Sequence, residues 1–182
     1  MERTSLSKLT FGSSIPKFSL PSVDGKTVNN DYFKDARAAL VVFTCNHCPY
    51  VKGSEEMLLE IVKKFSSDGL KTVAICSNNA AVYPEDSFEK MKEKAATLKL
   101  PYPYLYDESQ QVARAFDAEC TPECFLFDAQ GNLTYHGTIT DRPKDAGTAR
   151  VDLLSPAITS VLEGQKPNPN FNHPIGCSIK WR

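Results

Sequence analysis

The feature that most constrains this chain is a junction. The apolar run Ala38-Ala-Leu-Val-Val-Phe43 is followed, after Thr44, by Cys45-Asn46-His47-Cys48, and from Pro49 the hydrophobic period changes. An unbroken apolar run of that length is strand-sized and reads as a central strand buried on both faces. Beyond it Val51, Leu58, Ile61, Val62 and Phe65 recur at helical spacing, with Lys52, Glu56, Lys63 and Lys64 filling much of the other side. Asp68-Gly69 closes that helix, glycine being the usual residue just past a C-terminus. Two cysteines thus stand where a buried strand gives way to a helix.

The other segments extend the alternation. Phe18 and Leu20 alternate with polar neighbours before Asp24-Gly25, which predicts a β-hairpin over Pro16 to Val28. One helical turn is expected near Asp35. Thr72 to Cys76 reads as a strand, Pro84 to Leu98 as a charged amphipathic helix, and Tyr104 to Tyr106 as a short strand. Asp107 is a suitable cap for a helix through Phe116. Cys124 to Asp128 and Leu133 to His136 flank a turn, and a last helix is expected from Asp152 to Leu162, with Pro156 in or near its first turn. Strand–helix–strand order early and a hairpin late predict an α/β fold: one domain over 1–182 with a mixed sheet, helices on both faces and an N-terminal β-hairpin extension. Residues 165–182 form a Pro- and Asn-rich tail carrying Cys177.

Composition removes several function classes. The 182 residues are 41% hydrophobic and 24% charged with a net charge of −1, a globular profile. No polybasic block suggests a nucleic acid or an anionic membrane surface as partner. Met1 to Ser14 lacks an apolar run, so no leader or anchor is expected there, and cytosol is the default location. No glycine-rich phosphate loop is present, so no cofactor is expected. Six cysteines (Cys45, Cys48, Cys76, Cys120, Cys124 and Cys177) then need a reason, because a reducing compartment does not sustain a disulfide framework.

Position supplies that reason at Cys45 and Cys48. Free N–H groups and the positive dipole end at a helix start favour a thiolate, the form that attacks disulfides and peroxides. Two-residue spacing lets the pair close a disulfide. The expectation is that Cys45, at the exposed end, attacks and that Cys48, one turn deeper, resolves. His47, when protonated, adds positive charge beside them; otherwise it is an exposed helix residue.

Phe43-Thr-Cys-Asn-His-Cys-Pro-Tyr-Val51, Cys120-Thr-Pro-Glu-Cys-Phe-Leu-Phe-Asp128 and Gly176-Cys-Ser-Ile-Lys-Trp181 resemble the thioredoxin-like redoxins of the peroxiredoxin-like branch. The opening Pro16-Lys-Phe-Ser-Leu-Pro21 with Asp24-Gly25-Lys26 is similar to the start of alkyl hydroperoxide reductase/thiol-specific antioxidant domains. The resemblance spans about the whole chain. It implies a thioredoxin-like fold with Thr121-Pro122 as the cis-proline loop facing the cysteine pair. It further implies antioxidant or thiol–disulfide oxidoreductase chemistry, driven by a protein or small-molecule thiol reductant on a disulfide or hydroperoxide substrate. One departure bears on peroxidase activity. Peroxiredoxins carry Pro-x-x-x-Thr-x-x-Cys and a later Arg. Aligned on Cys48, the Thr place here holds Cys45 and no matching Pro precedes it, while Arg114 and Arg142 are both candidate arginines.

The remaining cysteines leave alternatives open. Cys45, Cys48, Cys120 and Cys124 can be read as four zinc ligands, but their strand and helix context weighs against a metal site, and none is expected. Cys76 reads as a small core hydrophobe. Cys120 is either packed or a third active-site thiol. Cys177 is either a resolving thiol brought in by the tail or incidental to a tail packed by Ile175, Ile179 and Trp181.

Overall fold

The computed structural model describes residues 9–144 and 150–182. The reading of Met1 to Ser14 therefore lies mostly outside the described residues. Strands β1 (Ser19–Pro21) and β2 (Thr27–Asn29) form the expected antiparallel hairpin, followed by a 3-10 turn at Asn30–Phe33. Then come β3 (Ala38–Phe43), helix α1 (Pro49–Ser66) and β4 (Leu70–Cys76). Helix α2 (Phe88–Leu98) leads to β5 (Tyr104–Tyr106), and α3 (Gln111–Phe116) to β6 (Cys120–Thr121), β7 (Glu123–Phe127) and β8 (Leu133–Gly137). Helix α4 (Leu154–Leu162) and β9 (Cys177–Ser178) complete the order.

The central sheet runs β5-β4-β3-β7-β8. Strand β3 pairs parallel with β4 and antiparallel with β7, so the sheet is mixed as expected. Because side chains alternate across a strand, β3 feeds two cores. Ala38, Leu40 and Val42 pack under α1 and α4; Ala39, Val41 and Phe43 meet Phe116 of α3 and Phe18, Leu20 and Phe33 of the N-terminal segment. Every residue of β3 is buried, which explains its unbroken apolar run. Among the described residues no helix is long and apolar enough to cross a membrane.

Three helix starts differ from expectation for local reasons. The segment from Pro84 is not one helix: a 3-10 turn spans Pro84–Asp86, and Ser87, in extended backbone, caps α2 by accepting from Lys90 N–H. Asp107 is not the adjacent cap of α3. From three residues upstream of Gln110, the capping residue, its buried carboxylate accepts from Val112 and Ala113 N–H at 3.3 and 2.9 Å. Asp152 plays the same part at α4, accepting from Leu154 and Ser155 N–H, so that helix begins at Leu154.

The 165–182 tail is held by specific backbone pairing. Its first leg lies against β8: His136 N–H donates to Asn170 C=O at 3.0 Å and Asn172 N–H to His136 C=O at 3.1 Å. Its last leg crosses the strand ends, where β9 pairs antiparallel with β6. Ile179 N–H donates to Glu119 C=O, and Asn79 N–H to Lys180 C=O. Both crossings need a glycine. A Cβ on Gly137 would run into the Asn172 backbone, and one on Gly176 into the Thr121 carbonyl. Of Ile175, Ile179 and Trp181, Ile179 alone is buried; Ile175 and Trp181 stay partly exposed, and Trp181 lies over Arg114.

Candidate active site

Helix α1 begins at Pro49, so Cys48 and not Cys45 occupies the N-cap position. Proline suits the first turn because its missing N–H would have had no partner there. The favourable field of the helix start therefore falls on Cys48. Both sulfurs are fully shielded at 0% exposure, which corrects the expectation that Cys45 is the exposed thiol. All six cysteines are free thiols in this structure.

The two thiols adjoin each other and the Thr121–Pro122 loop, whose peptide bond is cis as expected. Cys45 Sγ lies 3.4 Å from Thr121 Oγ1, and Cys48, as a thiol, donates to the Thr121 carbonyl at 3.3 Å. The two sulfurs divide the ionisation unequally. Cys48 is held well below the usual thiol range, first by a hydrogen bond from the Cys45 side chain. Burial opposes this, and contacts from Cys177 and the Val51 N–H add to it. Cys45 is pushed well above, first because its proton serves Cys48, then by burial and by the Asp86 carboxylate. The lowered Cys48 and raised Cys45 run against the order expected from the sequence.

His47 is not an exposed helix residue. Its Nδ1 lies 2.5 Å from the buried Asp86 carboxylate, and its ring stacks on Tyr83 at 5.2 Å. Asp86 is the residue that sequence reasoning missed. It accepts from Asn46 N–H at 2.6 Å, His47 N–H at 3.3 Å and Asn78 Nδ2 at 2.8 Å, and so grips the whole Cys45–Cys48 loop. Lys94, paired with Glu55 at 2.5 Å, donates to the Cys45 carbonyl at 3.0 Å, and Tyr104 Oη donates to Asn46 Oδ1 at 2.9 Å. No motif signals Asp86, since it reaches the loop only through the turn before α2.

Among the described residues the four cysteines of the zinc reading do not gather into one ligand cluster. Cys124 is buried among Val42, Leu126 and Tyr135 on the face under α1 and α4. Cys45, His47 and Asp86 place three ligand atoms within 4.8 Å of one another. Both Asp86 oxygens and His47 Nδ1 are already committed to each other and to the loop.

The β6–β9 register sorts the last two cysteines. Thr121 is paired with Cys177, and Cys120 with Ser178. Alternation then sends Thr121 and Cys177 to one side, where Cys177 meets Cys48. Cys120 and Ser178 face the other, lining a cleft with Glu119, Glu123 and His173. Burial, then the Glu123 and Glu119 carboxylates, push the Cys120 thiol up. Of the two additional thiols considered, the fold brings Cys177 into contact with the pair, while Cys120 lies on the other face of β6, near enough to feel the Cys48 charge. The candidate arginines are engaged elsewhere: Arg114 under Trp181, and Arg142 with Asp141 at 3.6 Å.

The model of the Redoxin family matches residues 10–151. The chain belongs to the Redoxin family. Two solved structures are similar over nearly their whole length. An uncharacterized conserved protein from Geobacillus kaustophilus is 40% identical with a TM-score of 0.88, covering 97% of this chain and 95% of that one. A hypothetical protein from Sinorhizobium meliloti 1021 is 36% identical with a TM-score of 0.91, covering 97% of each chain. A thiol:disulfide interchange protein of the thioredoxin family from Chlorobium tepidum TLS shares the fold at 24% identity and a TM-score of 0.59, over 70% of this redoxin and 86% of that chain. No curated protein sequence matches the chain.

Proposed function

We propose that this redoxin is a thiol–disulfide oxidoreductase in which Cys48 attacks and Cys45 resolves, the two roles exchanged relative to the sequence expectation. The observation that carries this reading is the helix-capping Cys48 with Cys45 beside it. The Cys48 thiol is lowered and the Cys45 thiol raised, in each case first by the hydrogen bond between them. Attack by the Cys48 thiolate on a substrate disulfide forms a mixed disulfide and expels one substrate thiolate. Cys48 then carries no charge, so the largest contribution raising the Cys45 pKa is gone. Cys45 attacks Cys48 Sγ, its proton leaves with the second substrate thiol, and the Cys45–Cys48 disulfide remains. Two electrons have moved to the substrate. A protein or small-molecule thiol restores the dithiol. Thr121 contacts both sulfurs and His47–Asp86 fixes the loop, so both are positioning groups. We place the chemistry in the cytosol and assign it to one domain over 1–182, with the tail as part of the site.

A second reading, a thiol peroxidase, is favoured by one observation: complete shielding of both sulfurs suits a small hydroperoxide better than a protein disulfide. One reduced sample tests both, with hydrogen peroxide and a disulfide-bonded protein as rival substrates and thiols counted afterwards by mass spectrometry. Fast exchange with the protein disulfide and slow peroxide consumption is the expected result. Rapid peroxide consumption that closes a disulfide would move the assignment to the peroxidase, and inertness to both would overturn the two readings together.

A further inference from the structure

Three sulfurs, not two, meet at this site. The β6–β9 pairing sets Cys177 opposite Thr121, whose carbonyl and hydroxyl already touch Cys48 and Cys45. The Cys177 side chain and N–H both reach Cys48 Sγ. The placement is enforced by backbone. Gly176 lies so close to the Thr121 carbonyl that no Cβ fits, and Ile179 N–H and Lys180 C=O are tied to Glu119 and Asn79 on the following turn. Of the three sulfurs, Cys177 alone belongs to a residue with appreciable solvent exposure.

We propose that Cys177 is the exit thiol of the site, taking the disulfide from the buried Cys45–Cys48 pair and presenting it to an external thiol reductant. This rests on the reading of Cys45 and Cys48 as the redox pair. The exchange balances as follows. Cys177, as thiolate, attacks Cys48 Sγ; the Cys45–Cys48 bond breaks, the Cys48–Cys177 bond forms, and Cys45 leaves as thiolate and is protonated by the proton Cys177 gave up. A reductant thiol then attacks the exposed Cys177 Sγ and releases Cys48 as thiolate. A second reductant thiol cleaves the mixed disulfide, returning Cys177 as a thiol and leaving one oxidised reductant pair. No sulfur changes its net oxidation beyond the two electrons the reductant supplies.

The electrostatics of the attacking thiol run in the same direction. In the reduced site burial, then contact with the Cys48 sulfur and its charge, hold Cys177 up at about 11, while Lys180 and Lys144 pull it down. Once Cys48 is locked in a disulfide its charge is gone and the two lysines remain. Cys177 therefore becomes a better nucleophile at the stage when it is needed, and stays a quiet thiol when Cys48 must attack substrate.

The test is disulfide mapping of the full chain after oxidation with diamide, read by non-reducing peptide mass spectrometry, together with re-reduction by glutathione. The wild-type protein is expected to hold mainly Cys45–Cys48, with a Cys48–Cys177 fraction that grows as glutathione is added in small steps. Cys45→Ser is expected to trap Cys48–Cys177 in most molecules. Cys177→Ser is expected to close Cys45–Cys48 but to be re-reduced at least tenfold more slowly. Moving the thiol by one residue, with Cys177→Ser and Ser178→Cys together, should not restore the rate, because residue 178 faces Cys120. If Cys45–Cys48 closes, yet Cys45→Ser yields no Cys48–Cys177 and Cys177→Ser is re-reduced at the wild-type rate, the exit thiol is refuted and the redox pair stands. If Cys45–Cys48 never closes in folded protein, the underlying reading falls and this one with it. Circular dichroism of each variant identifies a misfolded sample, and the Cys177→Ala variant then replaces Cys177→Ser.

Discussion

The Cys45–Cys48 loop and the 165–182 tail meet at one cluster of sulfurs but are specified in different ways. The loop is local: a buried strand, five residues and a helix, with Cys48 put at the N-cap position by where proline allows the helix to begin. The tail is non-local. It pairs with β8 and then β6 through backbone hydrogen bonds, and at both crossings a glycine is the only residue that fits. The loop supplies reactivity, and the tail governs which sulfur meets solvent. The two are joined at Cys177, a tail residue that also bears on the reactivity of Cys48.

The largest expected effect breaks the loop. Cys48→Ser should lower disulfide exchange by about 10⁶-fold, the scale of losing a nucleophile, with an unchanged circular dichroism spectrum. The pH dependence sharpens the same point. Thiolate appears as pH rises through a thiol's pKa, and Cys48 is lowered while Cys45 and Cys177 are raised. Thiolate absorbance at 240 nm in the reduced protein should thus begin its rise well below the normal cysteine range, and Cys48→Ser should remove that early step. An early step that survives in Cys48→Ser but vanishes in Cys45→Ser would return the attacking role to Cys45.

The next effect breaks the tail. Gly176→Ala forces a methyl group into the Thr121 carbonyl. Overpacking of this kind costs on the order of 1–3 kcal/mol, visible as a lower midpoint in urea. The segment it loosens covers the sulfurs, so Cys48 should alkylate with iodoacetamide several-fold faster than in the wild type. Loss of stability with no gain in alkylation would mean that the tail is structural and does not control access.

These two regions also mark how far the sequence could be read. The hairpin, the central strand, α1 and the Cys45–Cys48 junction follow from short-range rules: alternation, helical period, proline at a helix start, glycine after its end. The proposed order of the two thiols was not legible there, because it turns on the burial of both sulfurs and on their contacts with each other, Asp86 and Cys177. The tail reads as a polar Pro- and Asn-rich segment because it is held by main-chain atoms, which leave no side-chain pattern. Gly176 and Cys177 stood in the motif, but only the pairing with β6 distinguishes the face of Cys177 from that of Cys120. Asp86 lay between the two cases. Its acidic side chain sits in a turn of ordinary composition, and its role depends on reaching a loop some forty residues away.

Asp86 therefore gives a smaller, more selective test of how the loop is held. Its carboxylate is fully buried and accepts from both loop N–H groups and the Asn78 amide. Asp86→Asn keeps the shape but removes the charge and turns one acceptor into a donor facing Asn78. A loss of about 1–3 kcal/mol is expected for the mismatched buried group. Because Asp86 is one of the causes that raise the Cys45 pKa, the Cys45 titration should move toward acid in this variant. A stable variant with an unmoved Cys45 titration would show that the Asp86 charge is not felt at the sulfur.

The smallest effect asks whether the neighbourhood of the loop matters in general. Ser87 caps α2, the helix whose Lys94 holds the Cys45 carbonyl. Loss of a serine cap costs about 1 kcal/mol, which for a chain of this size lowers the melting midpoint by roughly 2–4 °C. The damage should stop within the first turn. Met91 is fully buried in the core, and Lys94 lies beyond it and is clamped by Glu55, so the part of α2 that reaches the loop is anchored independently of its cap. Ser87→Ala should therefore melt earlier while its exchange rate stays within about twofold of the wild type, a change of less than ~0.5 kcal/mol in the barrier. A tenfold loss of exchange with the same modest melting shift would mean that fraying reaches Lys94, and that α2 as a whole, not Asp86 and Lys94 as separate clamps, holds Cys45 in place.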